Sequence, residues 1–350
     1  MSKRIVIVGA GAVGAYVGGY LARAGQDVTM IDPWPANVEK MRADGLSLSG
    51  LSDEECFSTP IQAMHITEVQ DLARTDPIDI AFVCMKSYDT EWATTLIRDY
   101  LAPGGYVVSL QNCINEHRIA GVVGWGKTLG CIASQIAVEL VAPGEVRRGV
   151  PRGGNKHTVF RVGEVHGSIT ARAEEIADLL SLIDSSKATT NLWGERWSKL
   201  VANAMRNGLS ASTGMSSNAC DREAITRWIC IRTAAEAVSV GLAQGFMLEK
   251  IYEAMPDRWL AGGSGDDGVR SELEAAMQAS AERRAETMRP SMGQDIQKGR
   301  RTEVDFINGL VAARGEELGI ATPVNRAMVD AVKRVELRQV EASLDNVRDI

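Results

Sequence analysis

A glycine-rich segment near the amino terminus constrains the fold more than any other part of the sequence. It lies between a β-branched run of strand length, Arg4–Val8, and a stretch of helix-compatible spacing over 15–24. A strand, a glycine turn and a helix in this order form the fingerprint of a dinucleotide-binding βαβ unit. The residues of the turn are Gly9, Ala10, Gly11, Ala12, Val13 and Gly14.

Each glycine of this turn has a mechanical reason. Gly9 lets the chain turn tightly, Gly11 lets the backbone approach a pyrophosphate, and Gly14 lets the helix pack closely on the strand. The pyrophosphate then lies at the helix N-terminus, where free N–H groups and the helix dipole favour an anion. A tight turn without a ligand is the alternative, but the flanking strand and helix favour nucleotide binding.

A second strand-like run over 27–31 ends at Asp32, at roughly the 20-residue spacing that the fingerprint expects. A carboxylate at this position accepts hydrogen bonds from both hydroxyls of an adenosine ribose and repels a 2′-phosphate. The sequence therefore predicts NAD as the cofactor in preference to NADP. Lys40 or Arg42 could instead reach a phosphate, although both occupy positions typical of a solvated helix surface.

Strand and helix signals continue to alternate through the first half of the chain. Strand-like runs cover 78–85, 106–110 and 127–137, and a helical pattern covers 89–99. This rhythm predicts an α/β, Rossmann-like, doubly wound parallel sheet. Ligands bind beyond the carboxyl ends of such strands, where Lys86 and Asn112 lie, although each of them alone is equally typical of an ordinary loop.

Strand signals stop after about residue 190, and helical patterns follow. They cover 194–208, 221–245, 270–288, 302–318 and 324–338. We therefore predict a dinucleotide-binding Rossmann domain over 1–190 and an all-helical substrate and catalytic domain over 191–350. A glycine-rich loop at 262–268 is either a lid or a mobile surface connection.

One helix of the second half carries a row of polar side chains. Lys199, Asn203 and Asn207 follow one another at four-residue spacing, which places them on one helical face. A solvated face is the alternative, but asparagine is a poor helix former and apolar residues flank both asparagines. Further on, residues 302–305 are expected to open a helix, with Glu303 among the acids that the helix dipole favours there.

Five blocks of the sequence, in this order, resemble the ketopantoate reductase family, the 2-dehydropantoate 2-reductases, over nearly the whole chain. They are the glycine turn, Lys86 in Cys-Met-Lys-Ser, Asn112 in Leu-Gln-Asn, the row from Lys199 to Asn207, and Ser291-Met-Gly-Gln-Asp295 followed by Arg301-Thr-Glu303-Val-Asp305. The resemblance implies an enzyme that reduces a 2-oxo acid with a nicotinamide cofactor.

The resemblance also implies a role for each residue. Lys199 would be the general acid that protonates the developing alkoxide, and Glu303 would lie near it and near the nicotinamide ribose. The residues implied to hold the substrate are Asn112, Asn203, Asn207 and Ser291. Those implied to contact the cofactor, besides the glycine turn and Asp32, are Lys86, Asn112 and Glu303.

Three departures from the family pattern bear on function. Asp32 stands where the family usually has a basic residue for a 2′-phosphate, which argues against NADPH. Gly208 and Ser210 replace two residues of the frequent Asn-Pro-Leu-Thr. The stretch 252–290 is longer than in compact members and suggests a different or larger substrate. Two alternatives therefore stay open: a catabolic NAD-dependent dehydrogenase of a bulkier secondary alcohol, and a non-catalytic dinucleotide sensor.

Composition excludes several other classes. A formal net charge of −7 does not provide the positive potential that attracts the phosphates of nucleic acid. Four histidines and six cysteines without metal-ligand spacing indicate no metal site and a reducing, cytoplasmic location. The apolar stretch 5–21 follows two basic residues, as in a signal or membrane anchor, but its glycines fit a turn and a packed helix better. We expect a small-molecule substrate, no membrane association and a possible homodimer.

Overall fold

The computed structural model describes residues 3–252, 254–282 and 289–350. The chain divides into two compact units, the first ending at Leu192 and the second beginning at Trp193. The first unit is α/β with a mostly parallel sheet, and the second is helical. The predicted fold class is therefore confirmed.

Twelve strands are present among the described residues of the first unit. They are β1 Arg4–Val8, β2 Asp27–Asp32, β3 Leu46–Ser49, β4 Phe57–Thr59, β5 Gln62–His65, β6 Ile78–Val83, β7 Leu101–Ser109, β8 Thr128–Ala133, β9 Val138–Ala142, β10 Glu145–Arg148, β11 Phe160–Glu164 and β12 Ser186–Thr189. Its helices are α1 Ala12–Arg23, α2 Pro35–Asp44, α3 Thr90–Arg98, α4 Glu116–Val123 and α5 Ala171–Ser181.

Eight strands form the main sheet, in the order β12-β11-β8-β7-β6-β1-β2-β5. All neighbours are parallel except β8 and β11, which pair antiparallel. In β1, Ile5 pairs with Val28 of β2 on one side and with Ile80 of β6 on the other. All three side chains are buried because helices cover both faces of a parallel sheet. The apolar stretch 5–21 thus forms β1 and most of α1.

A second, four-stranded sheet with the order β4-β3-β10-β9 was not part of the sequence prediction. Its strands are short, and β3 and β10 alternate buried and exposed residues instead of forming long apolar runs. The buried amide of Asn37 links this sheet to the glycine turn. Its Nδ2 donates to the carbonyl of Ala10 at 3.1 Å, and its Oδ1 accepts from the N–H of Gly144 at 2.8 Å.

The helices α6 to α13 belong to the second half of the chain. They are α6 Leu192–Thr213, α7 Ser217–Arg222, α8 Ala224–Ala243, α9 Pro256–Gly263, α10 Asp267–Glu282, α11 Ser291–Gln297, α12 Asn308–Leu318 and α13 Pro323–Glu336. The helix expected over 221–245 corresponds to α8, which begins three residues later because the extended backbone of Glu223 separates α7 from α8. None of the described helices is both long and apolar enough to cross a membrane.

The expectation that residues 302–305 open a helix is wrong. Thr302 donates its backbone N–H to a carboxylate oxygen of Glu336 on α13, at 2.9 Å, and the backbone of Ile307, with a ψ of −89°, separates this segment from α12. A short 3₁₀ helix follows at Val304–Phe306, and α12 begins only at Asn308. Of the glycine-rich loop, 262–263 belong to α9 and 267–268 to α10. Parts of the 252–290 stretch and of the pattern over 270–288 lie outside the described residues.

Candidate active site

The glycine turn has the backbone geometry that its sequence predicts. Gly9 has a φ of +102°, which side chains rarely adopt, and a Cβ there would lie 2.8 Å from Sδ of Met85. A Cβ on Gly14 would lie 2.0 Å from the carbonyl oxygen of Gly9, so only glycine lets α1 approach the turn this closely. Both positions are determined by packing within the unit.

Gly11 differs from the other two glycines, because no described atom lies within 4 Å of the position of its Cβ. It is the N-cap of α1, and the helix begins at Ala12. Space above Gly11 beside the free N–H groups of a twelve-residue helix fits an approaching pyrophosphate. The residues of the turn therefore fit a dinucleotide cofactor.

Asp32 lies at the carboxyl end of β2 and is buried. Its Oδ2 accepts the backbone N–H of Ala10 at 2.7 Å, and its Oδ1 accepts that of Trp34 at 2.9 Å. Burial raises the pKa of this carboxyl above its ordinary value, although both N–H groups and Asn37 oppose the shift. Asp32 thus ties the glycine turn to β2, and each oxygen keeps a lone pair for a further donor.

Lys86 and Asn112 follow the ends of β6 and β7, two adjacent parallel strands. Both residues are partly exposed. Lys86 precedes a short 3₁₀ helix at Ser87–Asp89. The strand order therefore brings these two predicted residues to neighbouring loops at the same edge of the sheet.

Two buried amides that the sequence analysis missed join these loops. Gln111 donates to the carbonyl of Met85 at 2.7 Å and to Oγ1 of Thr90 at 2.9 Å. Asn115 donates through Nδ2 to Oγ of Ser87 at 3.0 Å and to the carbonyl of Asn112 at 2.9 Å. The available signal was the clustering of carboxamide residues at 111–115, between a strand and a helix.

The polar row of the second unit lies on α6, as the sequence predicts. Lys199 and Asn203 are partly exposed, and Asn207 is buried. Within the part of the chain that the structure describes, the buried Nδ2 of Asn203 has no hydrogen-bond partner. A buried donor of this kind costs free energy unless a ligand completes it.

Two segments distant in sequence pack on α6. Ser291 begins α11, and a Cβ on Gly293 would lie 2.3 Å from Oγ of Ser210 on α6. Glu303 is buried just before the 3₁₀ helix that leads to α12. The first residue of α12, Asn308, donates through Nδ2 to the carbonyl of Ala204 on α6 at 3.1 Å. The second unit thus assembles the segments that carry its five predicted site residues.

Asp32, Lys86 and Asn112 belong to the first unit, and the polar row belongs to the second. Among the described residues, no group of three or more His, Cys, Asp and Glu side chains is arranged to hold a metal ion. In the described parts of the chain all six cysteines are free thiols, and Cys56 alone among them is exposed. Both sites are therefore built from backbone N–H groups, amides, lysines and carboxylates.

An α/β unit with a dinucleotide-binding turn, followed by a helical unit with a polar row on one helix, is typical of dinucleotide-dependent oxidoreductases. Residues 5–159 match the sequence model described as Ketopantoate reductase PanE/ApbA, and residues 191–336 match the model of its C-terminal domain. The chain belongs to the ketopantoate reductase family. It is an oxidoreductase that acts on a C–OH/C=O pair with a nicotinamide dinucleotide.

Several relatives cover almost the whole chain. The 2-dehydropantoate 2-reductase of Archaeoglobus fulgidus is 29% identical over 346 residues, which are 95% of this chain and 98% of the relative. The crystal structure of a PanE/ApbA family ketopantoate reductase from Ralstonia eutropha is 27% identical to this chain, with a TM-score of 0.77. The match covers 96% of this chain and 99% of the Ralstonia chain. D-mandelate dehydrogenase with NADH and anilino(oxo)acetate, at 21% identity and a TM-score of 0.78, shares the fold over 96% of this chain and 99% of its own.

Proposed function

We propose that the chain interconverts a 2-oxo acid, or a related ketone, and the corresponding alcohol, with Lys199 as the general acid. The observation that carries this proposal is the row on α6, where a buried carboxamide donor without a partner, Nδ2 of Asn203, lies one turn from an ammonium. Donors in such a place can bind a carbonyl oxygen and stabilise the charge that develops on it in the transition state.

The roles of the residues follow from this reaction. The nicotinamide, when bound, supplies a hydride to the carbonyl carbon. Lys199 gives a proton to the carbonyl oxygen as it becomes an alkoxide and then regains a proton from solvent. Asn203, Asn207 and Ser291 bind the hydroxyl and carboxylate groups of the substrate.

The remaining proposed contacts involve the cofactor. The glycine turn binds its pyrophosphate, and Lys86 contacts the cofactor from the neighbouring loop. Asn112 lies between nicotinamide and substrate, and Glu303 binds near the nicotinamide ribose. Domain limits of 1–190 and 191–350, a homodimer and a cytoplasmic location belong to the same proposal.

NAD is the proposed cofactor because of Asp32. Its carboxylate accepts two backbone N–H groups and still offers lone pairs for the ribose hydroxyls, whereas a 2′-phosphate would meet its negative charge. D-mandelate dehydrogenase, which shares the fold, is bound to NADH in its solved structure. The other relatives named above are ketopantoate reductases, and members of this family typically use NADPH.

The assay that tests the proposal is oxidation of NADH and of NADPH, in parallel, by the purified protein with ketopantoate. Turnover that favours NADH supports both reaction and cofactor, while turnover that favours NADPH overturns only the cofactor. If ketopantoate gives no turnover and NADH still binds tightly, larger secondary alcohols with NAD are screened next. This third outcome favours the catabolic dehydrogenase.

Replacement of Lys199 separates a catalyst from a dinucleotide sensor. In Lys199→Ala, we expect kcat to fall roughly 100- to 10,000-fold because the proton donor is lost, with the Kd of NADH unchanged. Lys187→Ala removes an exposed lysine of β12 and is the matched control, with unchanged kcat. A Lys199→Ala protein that keeps its turnover contradicts the assignment of the general acid.

A further inference from the structure

A buried arginine lies within the polar face of α6 and has no part in the reaction described above. Arg206 is seven residues, or about two turns, beyond Lys199, so the two residues lie nearly in line along the helix. Its side chain is only 7% exposed. A guanidinium stays charged in such a place, so it requires anionic or hydrogen-bonding partners.

In the part of the chain that the structure describes, the guanidinium of Arg206 has one carboxylate partner, Asp221, which binds at only one of its nitrogens. Nη1 of Arg206 donates to Oδ1 of Asp221 on α7 at 2.6 Å, and the carboxylate of Asp221 is fully buried. The Nε atom of Arg206 is also buried, and among the described residues it has no hydrogen-bond partner. The Nε side of a guanidinium is one of the edges that bind a carboxylate through two parallel hydrogen bonds.

Tyr252 packs against the guanidinium and fixes its plane. The centre of the Tyr252 ring lies 4.7 Å from the guanidinium carbon of Arg206, and the Tyr252 hydroxyl donates to the carbonyl of Ala202 on α6 at 3.3 Å. Tyr252 has a φ of +51°, a conformation that costs a bulky residue free energy and persists only where packing holds it.

A second guanidinium lies in the same region. Burial raises the pKa of the Cys220 thiol to about 11, while the charges of both Arg206 and Arg289 lower it and that of Asp221 raises it. Arg289 precedes α11 by two residues and donates to the carbonyl of Gly214. Arg206 and Arg289 thus lie near the same thiol, and Arg289 is two residues before the proposed carboxylate ligand Ser291.

We propose that the Nε side of Arg206 binds a second acidic group of the substrate, so that the chain acts on 2-oxo acids that carry a carboxylate at the far end. This inference rests on the proposed function and adds the substrate class to it. Asp221 orients the guanidinium from one edge, Tyr252 holds its plane, and the substrate carboxylate completes the other edge.

The test compares 2-oxo diacids of four to six carbons with monoesters in which the distal carboxylate is masked, such as 2-oxoglutarate and its 5-methyl ester. For each enzyme the ratio of kcat/KM for diacid to ester is measured with the preferred cofactor. We expect a ratio of roughly 10 to 100 for the unaltered protein, since a hydrogen-bonded charge pair contributes about that factor. In Arg206→Met the ratio should fall to about 1.

Partial misfolding does not obscure this result, because both substrates are measured on one preparation and the active fraction cancels from the ratio. Arg227→Met is the matched control: Arg227 is equally buried and donates to the backbone carbonyl of Asp221, but it lies on α8. Its ratio should stay unchanged. Arg206→Lys keeps the positive charge but loses the planar pair of N–H donors, so its ratio of kcat/KM for diacid to ester should be intermediate.

The outcomes separate the two proposals. If ketopantoate and the esters are reduced as well as the diacids, and Arg206→Met leaves the ratio unchanged, Arg206 is a structural partner of Asp221 and this inference is wrong while the proposed reaction stands. If no 2-oxo acid of either kind is reduced with NADH or NADPH, the proposed reaction fails and the inference fails with it.

Discussion

The tip of β2 in the first unit and the polar face of α6 in the second differ in whether their buried polar groups have hydrogen-bond partners. Both carboxylate oxygens of Asp32 accept backbone N–H groups. On α6, within the described residues, Nδ2 of Asn203 and Nε of Arg206 are buried without partners. An unsatisfied buried donor costs about 1–3 kcal/mol. The carboxylate of Asp32 is therefore satisfied within the chain, whereas Asn203 and Arg206 each have a buried donor that, in our proposal, a ligand completes.

The glycine turn offers the largest expected effect. In Gly14→Ala the new Cβ meets the backbone oxygen of Gly9, so we expect a loss of about 3 kcal/mol in the free energy of unfolding and loss of NADH binding. In Gly11→Ala the Cβ meets no described atom, so stability should change by less than about 1 kcal/mol while the Kd of NADH rises at least roughly tenfold. Chemical denaturation and cofactor titration measure both. Unchanged NADH affinity in Gly11→Ala would contradict the pyrophosphate site.

Two buried asparagines test the comparison directly. Asn37 has both amide atoms hydrogen-bonded, so Asn37→Ala should lower the free energy of unfolding by about 2 kcal/mol. In Asn203→Ala no bond to Nδ2 is lost, so stability should stay within about 0.5 kcal/mol or rise. Its kcat/KM for the 2-oxo acid should nevertheless fall roughly 10- to 100-fold. If Asn203→Ala instead unfolds readily and keeps its kcat/KM, the row on α6 is structural.

The smallest effect concerns the charge of Asp32. Because burial raises its pKa, the carboxyl takes up a proton at a higher pH than an ordinary aspartate does, and its repulsion of a 2′-phosphate then disappears. The ratio of the Kd values of NADPH and NADH should therefore decrease as the pH falls through this raised pKa. A 2′-phosphate also gains a proton near pH 6.

Asp32→Asn separates the two titrations, since only the phosphate of the ligand titrates in this variant. Its ratio of Kd values should be smaller than that of the unaltered protein at neutral pH and should vary less with pH. Equal ratios in both proteins at neutral pH would show that Asp32 does not select the cofactor.

Local patterns determined much of the fold. The strand, turn and helix around Gly9 to Gly14 were predictable because backbone conformation and hydrophobic periodicity are properties of neighbouring residues. The same holds for the row on α6, where helical spacing alone places Lys199 and Asn203 on one face. Charge at the end of β2 was likewise visible in Asp32. These features need only a few consecutive residues and one regular repeat.

Contacts between distant residues were decided by the tertiary structure alone. Strands β3 and β10 pair although about a hundred residues separate them in the sequence. Neither strand has an apolar run from which it could have been predicted. Glu303 lies outside the expected helix because the backbone of Ile307 is not helical, and the hydrogen bond from Thr302 to Glu336 ties its segment to α13. The fit of Arg206 between Asp221 and Tyr252 depends in the same way on how α6, α7 and the segment before α9 pack. Sequence determined which polar groups the chain carries, and packing decided which of them find hydrogen-bond partners within the chain, because partners come from residues distant in sequence.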